Sequence, residues 1–321
     1  MANQYLTITP EELAKSAVQY RRELLIMPTK GAAATLDHMR GLPGVNGRVV
    51  IGQLAGDIEL GPYDATREDT DGVQIVGRTL QTYLGSVIKK FDVNEAAGSV
   101  YSELYAQGIE LTTAELARQV LMYLSLQLGK KLNMAIWSGV RNDAGTKTAE
   151  LFDGFDTITS AEITAGTISE DNGNLVNVDA LTEENAVDVI KSIYEAAAEE
   201  LQDVPTKMYM SRNAFNLYNR AYKAETGAIV YNQNYTQTFL EGSNGLCELV
   251  PLGSKKDSKF IHLSTKSNMV YGFGAGLADE NIAVEKYHPF LLDYVATMYF
   301  GVQFETVSPE RLMVAQFSSN S

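Results

Sequence analysis

Hydrophobic positions along this chain change period several times, and each change marks an element. Leu13, Ala17, Tyr20 and Leu24 recur at helical spacing behind Thr9, Pro10 and Glu12. A threonine N-cap, a proline at the first helical position and a glutamate three residues after the cap predict a helix start there, and Pro28 predicts its end. Thr29 to Gly47 contains Gly31, Gly41, Pro43, Gly44 and Gly47 with few apolar anchors. That composition predicts an irregular segment, ordered only by lying on something else. From Arg48 to Val93 the apolar positions become β-branched or aromatic (Val49, Val50, Ile51, Ile75, Val76, Leu80, Tyr83, Val87, Ile88) around a polar stretch from Gly61 to Gly72. This pattern predicts a long two-stranded arm with a solvated tip, which needs a surface to pack on.

The period then lengthens. Thr112 and Glu115 form a second capping pair, and Leu116, Val120, Leu124, Leu128, Leu132 and Ile136 repeat every four residues. The spacing predicts a spine helix over Thr113–Ser138 with these six as its core row, about 40 Å long at 1.5 Å per residue. Asn142 to Asn177 is polar and signals no regular element. Thr182 caps one helix running through Val187, Ile190, Ile193, Tyr194, Ala197 and Leu201 to Pro205, and Ser211 caps another through Phe215, Leu217, Tyr218 and Ala221. Short strands are expected at 207–210, 247–250, 260–263, 268–271 and 282–285. A long half-buried strand follows over Tyr294 to Val307, and a last one over Arg311 to Phe317.

Composition narrows the classes. With 321 residues, 45% apolar and 21% charged, the chain is globular, and one cysteine, Cys247, excludes an intrachain disulfide. The first residues are polar and acidic rather than a secretory pattern. The best apolar run, Val120 to Trp137, is interrupted by Lys130 and Lys131, short of the roughly 18 residues of a membrane span. A soluble protein of a reducing cytoplasm is the expectation. The net charge of −14 argues against a nucleic-acid footprint. It is also uneven: residues 1–150 are net −2 and residues 151–321 net −12.

His38, His262 and His288 lie far apart, with no second His or Cys at ligand spacing, and read as surface or edge histidines. Gly272-Phe273-Gly274-Ala275-Gly276 is followed by Leu277 where a dinucleotide fingerprint has its last glycine, and reads as a turn between strands. Asp69-Thr70-Asp71-Gly72 lacks the distal glutamate of a calcium loop. Glu241-Gly242-Ser243-Asn244-Gly245 has the wrong spacing for a nucleophile elbow, and Cys247 reads as a buried small residue. No catalytic residue, cofactor or metal is expected, and an enzyme is not the favoured class.

The order of elements carries more. An arm with an early helix, a long hairpin, a spine helix, an α/β unit and a return through a long strand together resemble the major capsid protein of tailed bacteriophages, the Hong Kong 97-type fold, of class α+β. The resemblance is most specific in Ser267-Asn268-Met269-Val270-Tyr271-Gly272 with Ile282-Ala283-Val284-Glu285-Lys286. It continues in Gly301-Val302-Gln303-Phe304-Glu305 leading to Pro309-Glu310-Arg311-Leu312-Met313-Val314, and in Leu151-Phe152-Asp153-Gly154-Phe155. It implies an N-terminal arm over residues 1–44, an extended loop over 45–92, a peripheral domain over 93–150 and 280–321, and an axial domain over 151–279.

The function it implies is structural: self-assembly through hexamers and pentamers into an icosahedral shell around double-stranded DNA, without sequence-specific binding and without membrane. Separate scaffold, portal and decoration proteins are the implied partners, with assembly in the host bacterial cytoplasm and residence in the virion capsid. Arg21, Arg22 and Arg40 of the arm and Arg67, Glu68 and Asp69 of the loop tip are the candidate assembly contacts. Arg48, Arg67 and Arg78 are the only basic residues from Arg48 to Leu80, so the lysine isopeptide crosslink of some relatives is not expected. The chain opens on the arm helix, so any scaffolding segment is expected to be a separate protein or to have been removed. Two other readings compete: an encapsulin-like bacterial compartment shell, and a soluble acidic α/β enzyme whose site lacks a motif.

Overall fold

The computed structural model describes residues 15–17, 19–20, 24, 28–55, 74–92, 113–226, 238–275, 282–286 and 291–318. Backbone contacts divide the chain into two compact units. One takes residues 1–47, 82–157 and 272–301, and the other residues 48–81, 158–271 and 302–321.

In the first unit a sheet is built around β11 (Leu291–Phe304), which pairs antiparallel with β4 (Tyr83–Asp92) and with β10 (Ile282–Lys286). It continues through β9 (Met269–Ala275) to β1 (Arg40–Pro43). The alternation of β11 decides what covers it. Tyr294, Ala296 and Phe300 are buried on one face, while Val295, Thr297 and Tyr299 on the other are half-exposed. The spine helix α2 (Thr113–Ser138) lies on the buried face, where Ser125 Oγ and the Tyr294 hydroxyl hydrogen bond at 2.8 Å.

The core row expected for this helix is corrected in part. Val120, Leu132 and Ile136 are buried, but Leu124 and Leu128 are only half-buried, and the Leu116 side chain lies outside the described residues. The reason is geometric: at 3.6 residues per turn a four-residue step overshoots one turn by about 40°. The row therefore winds round the axis instead of holding one face. The buried face runs through Leu121, Ser125, Gly129, Leu132 and Ala135. Leu124→Ala is accordingly expected to cost about 1–2 kcal/mol by urea titration, below the roughly 2–5 kcal/mol of a fully buried leucine.

The segment expected to be irregular is ordered on its own chain. Residues 28–31 are helical and α1 (Ala33–Leu36) follows, with Ala32, Thr35, Leu36 and Met39 buried and α1 packed on α2. Contact between the two backbones is close enough to require glycine on both sides. A Cβ on Gly129 would sit 2.3 Å from the Pro28 carbonyl oxygen, and one on Gly31 would sit 2.8 Å from the Gly129 Cα. Gly274 is likewise explained by contact rather than by a turn, since it lies within β9 and its Cβ would meet Asn46 at 1.9 Å.

The second unit holds a mixed sheet in the order β5-β12-β8-β6-β7: Leu175–Val178, Leu312–Phe317, Phe260–Ser264, Thr206–Ser211 and Cys247–Leu252. The C-terminal strand β12, expected with the spine helix, lies here between β5 and β8. One sheet face carries Met208, Met210, Cys247, Leu249, Ile261, Leu263 and Met313. Helices α4 (Ala186–Glu195) and α6 (Arg212–Thr226) cover it through Ile190, Ile193, Ala214 and Tyr218. Burial pushes the Cys247 thiol up to about 12, so it is an inert core residue as read from sequence.

The single helix expected from Thr182 to Leu201 is two, broken at Ala196–Ala198 before α5 (Glu199–Gln202). The polar run 142–177 contains α3 (Phe155–Ala165) as well as β5. Ser211 Oγ accepts from the Ala214 amide at 3.1 Å, the cap expected for α6.

Candidate assembly surfaces

Strands β2 (Arg48–Ala55) and β3 (Gln74–Gln81) form a separate antiparallel ribbon in the register Arg48↔Gln81 to Ala55↔Gln74. Tyr83 to Asp92, expected to belong with this pair, lies instead in the β11 sheet. Alternation gives the ribbon two unlike faces. Ile51 and Leu80 are buried, whereas Val50 is 68% exposed. An exposed branched side chain on a two-stranded ribbon is the kind of position that a second surface covers.

The ribbon is held near its middle by polar groups. Arg78 is paired with Glu162 of α3 and donates to Gln303 Oε1 of β11 at 3.3 Å. The Thr167 hydroxyl also donates to Glu162. Burial acts to raise the Glu162 carboxyl, but the hydrogen bonds from Arg78 and Thr167 outweigh it and hold the group below its usual range.

In the first unit, the face of β4 turned away from α2 presents Leu84, 51% exposed, and Ile88, 66% exposed. Their register partners on β11, Tyr299 and Val295, are half-buried beside them. A cleft of about 360 Å³ opens where β4 and β11 meet α2. Val87, Leu128, Leu132, Ala296 and Met298 supply apolar lining, and the loop from Arg141 to Leu151 forms its polar rim. That loop is internally bonded. Arg141 donates to the Leu151 carbonyl at 2.8 Å, pairs with Asp143 and lies 4.1 Å over the Tyr83 ring. Glu150 accepts from the amides of Lys147 at 2.9 Å and Thr146 at 3.1 Å, which lower its pKa.

Charge concentrates in the second unit. Between Asp179 and Asp203 there are eight acidic residues and one lysine, and all eight acids are exposed. Such a surface repels polyanions at close range.

Of the contacts read from sequence, Arg40 is half-buried in β1, and Arg21, Arg22, Arg67, Glu68 and Asp69 lie outside the described residues. Sequence reasoning missed Arg78, Glu162 and the residues around His262. His262 is fully buried rather than at a surface or edge. Its neighbours are Thr159 and Lys255, 103 and 7 positions away in sequence. Among the described residues no group of three His, Cys, Asp or Glu side chains converges as a metal site, and no helix is long and apolar enough to cross a membrane.

No protein-family model matches the sequence, and no curated protein matches it. Solved structures do match over nearly the full length. The satellite phage P4 procapsid, which includes the size determination protein Sid, aligns with 93% of this chain and 99% of its own at a TM-score of 0.54 and 12% identity. The capsid of cyanophage A-1(L) aligns with 90% of this chain and 92% of its own at 0.53 and 14%. The capsid of the empty GTA particle aligns with 90% and 97% at 0.51 and 11%. Both chains are covered almost end to end in each case, so the likeness is to a whole subunit and not to one sheet.

Proposed function

With the α+β fold of phage capsid subunits as its premise, we propose that this chain is a structural shell protein. Its copies associate into hexamers and pentamers and close an icosahedral capsid around double-stranded DNA, in the manner of the Hong Kong 97-type fold. The observation that carries the reading is the end-to-end match to capsid subunits at TM-scores above 0.5. The unpartnered apolar positions support it, because Val50, Leu84 and Ile88 are costly to leave in water and cheap to cover with another copy. The acidic surface from Asp179 to Asp203 fits an inner wall that does not grip packaged phosphates, and a basic inner face in the assembled particle would overturn that placement.

Expression of the full chain, followed by size-exclusion chromatography and negative-stain microscopy, tests the reading. Closed particles are expected, and a monodisperse species near 35 kDa at high concentration would overturn it. Nuclease-protected DNA in particles from infected or induced cells supports a genome shell, and protein cargo in its place supports a compartment shell. Val50→Asp is expected to change the stability of the chain by less than about 0.5 kcal/mol, as an exposed substitution does, while sharply reducing the yield of closed particles. Wild-type particle yield from that variant would remove the ribbon from the interface.

A further inference from the structure

The second sheet face of the second unit, opposite the methionine-rich core, buries a polar chain. His262 on β8, Lys255 on the short helix Gly253–Lys255 and Thr159 on α3 are all fully buried. Lys255 Nζ donates to Ser258 Oγ at 2.8 Å and lies 3.1 Å from His262 Nδ1, while His262 Nε2 lies 2.9 Å from Thr159 Oγ1. With an ammonium donating to Nδ1, the imidazole is neutral, and its one N–H, on Nε2, donates to the threonine hydroxyl. The Phe304 ring stacks on the imidazole at 5.9 Å and Phe260 meets its edge at 6.0 Å. The 3.1 Å contact between Lys255 Nζ and His262 Nδ1 accommodates one positive charge and not two. A second proton would place an N–H on Nδ1 facing an ammonium, with two positive charges about 3 Å apart and no water between.

Thr159 and Glu162 stand three positions apart and therefore on the same side of α3. One is bound to His262 and the other is paired with Arg78 near the middle of the β2–β3 ribbon. The helix thus joins a proton-sensitive contact to the point that anchors the ribbon.

We propose that His262, Lys255 and Thr159 form an acid-sensitive pin that holds α3 to the sheet, and that protonation of His262 releases α3 and, through Glu162 and Arg78, loosens the ribbon. The charged and titratable groups that face the pin are Lys255 from the short helix and Tyr209, its register partner on β6; burial pushes the Tyr209 phenol up, so it stays neutral. About one turn further along α3, Glu162 faces Arg78, with Thr167 and Gln303 completing the contact. Burial, reinforced by the Lys255 charge, holds His262 well below the ordinary histidine value. The sign follows from linkage. The unfolded or released chain takes up the proton near pH 6.5 and the pinned chain does not, so the pin contributes fully above about pH 6.5 and progressively less below it.

Hydrogen exchange of the full chain, read by mass spectrometry between pH 7.5 and 4.5 and corrected for intrinsic rates, tests this. Peptides covering 74–81 and 158–165 are expected to lose protection together as pH falls, at least tenfold and before the methionine-rich face of the sheet. His262→Gln keeps an acceptor for Lys255 and a donor for Thr159 but cannot titrate; it is expected to abolish that pH dependence. Lys255→Met removes the opposing charge, so a protonated His262 is better tolerated in the pin and the loss of protection with falling pH is expected to shrink, which remains decisive if the glutamine variant fails to fold. Glu162→Gln is expected to loosen 74–81 already at pH 7.5 while 158–165 stays protected. A wild-type profile flat across this range, unchanged pH dependence in His262→Gln, or undiminished pH dependence in Lys255→Met would each overturn the proposal.

Discussion

Trp137→Ala is expected to lower the stability of the chain by about 3–5 kcal/mol, the range for an aromatic side chain removed from a closed core. Trp137 is the only tryptophan and is fully buried at the end of the spine helix, with its ring centroid 5.5 Å from that of Phe155. Removing the indole takes away the surface on which the Phe155 ring rests and leaves a cavity in a close-packed core. Calorimetry would read the loss as a fall in the unfolding temperature. A change below about 1 kcal/mol would mean that the site relaxes freely, contrary to close packing.

Gly129→Ala is expected to destabilise by about 3 kcal/mol, although the same change in an exposed helix stabilises by roughly 1 kcal/mol. The sign is the diagnostic. The new methyl would lie 2.3 Å from the Pro28 carbonyl oxygen, which is backbone and cannot rotate away. The chain relieves the clash by lifting residues 28–39 from the helix, and that exposes Leu36 and Met39. Limited proteolysis should therefore cut between 28 and 39 in the variant and spare the wild type. Equal protection with a raised melting temperature would show that the segment does not rest on Gly129.

Strands and long helices were legible because local pattern and tertiary position agree there. The alternation of Phe300, Val302 and Phe304 in β11 and the serine cap of α6 are examples. Where they part, sequence misleads for identifiable reasons. The helix α3 reads Phe-Asp-Thr-Ile-Thr-Ser-Ala-Glu-Ile-Thr-Ala, rich in threonine, which has weak helix propensity. Tertiary bonds such as Thr159 to His262 help to hold it. Ala196-Ala197-Ala198 has the opposite bias and yet interrupts a helix. Gln202 donates to the Ala197 carbonyl at 2.7 Å and the Tyr194 hydroxyl to the Gln202 carbonyl at 3.1 Å, fixing a turn that alanine propensity opposes. The polar pairs Arg78–Glu162 and Lys255–His262–Thr159 carry no local signature, since their spacing in sequence reflects only the path of the chain. The charge asymmetry is legible in the sequence, but the anchor of the ribbon and the buried histidine depend on the path of the fold.

The β2–β3 ribbon has a mechanical consequence that follows from its length. Eight register pairs separate Arg48↔Gln81 from Ala55↔Gln74, a rod of about 24 Å at roughly 3.4 Å per residue. Arg78, opposite Ile51 in the fourth of the eight pairs, grips it near the middle, so the ribbon behaves as a lever with an arm on each side of the grip. A rotation of about a fifth of a radian at the grip sweeps the end about 14 Å away through about 2.7 Å, more than half the spacing between hydrogen-bonded strands. Displacements of that size make or break a strand pairing outright. A side-chain adjustment too small to disturb the core of its own unit is therefore magnified, at the end of the rod, into the difference between engagement and release.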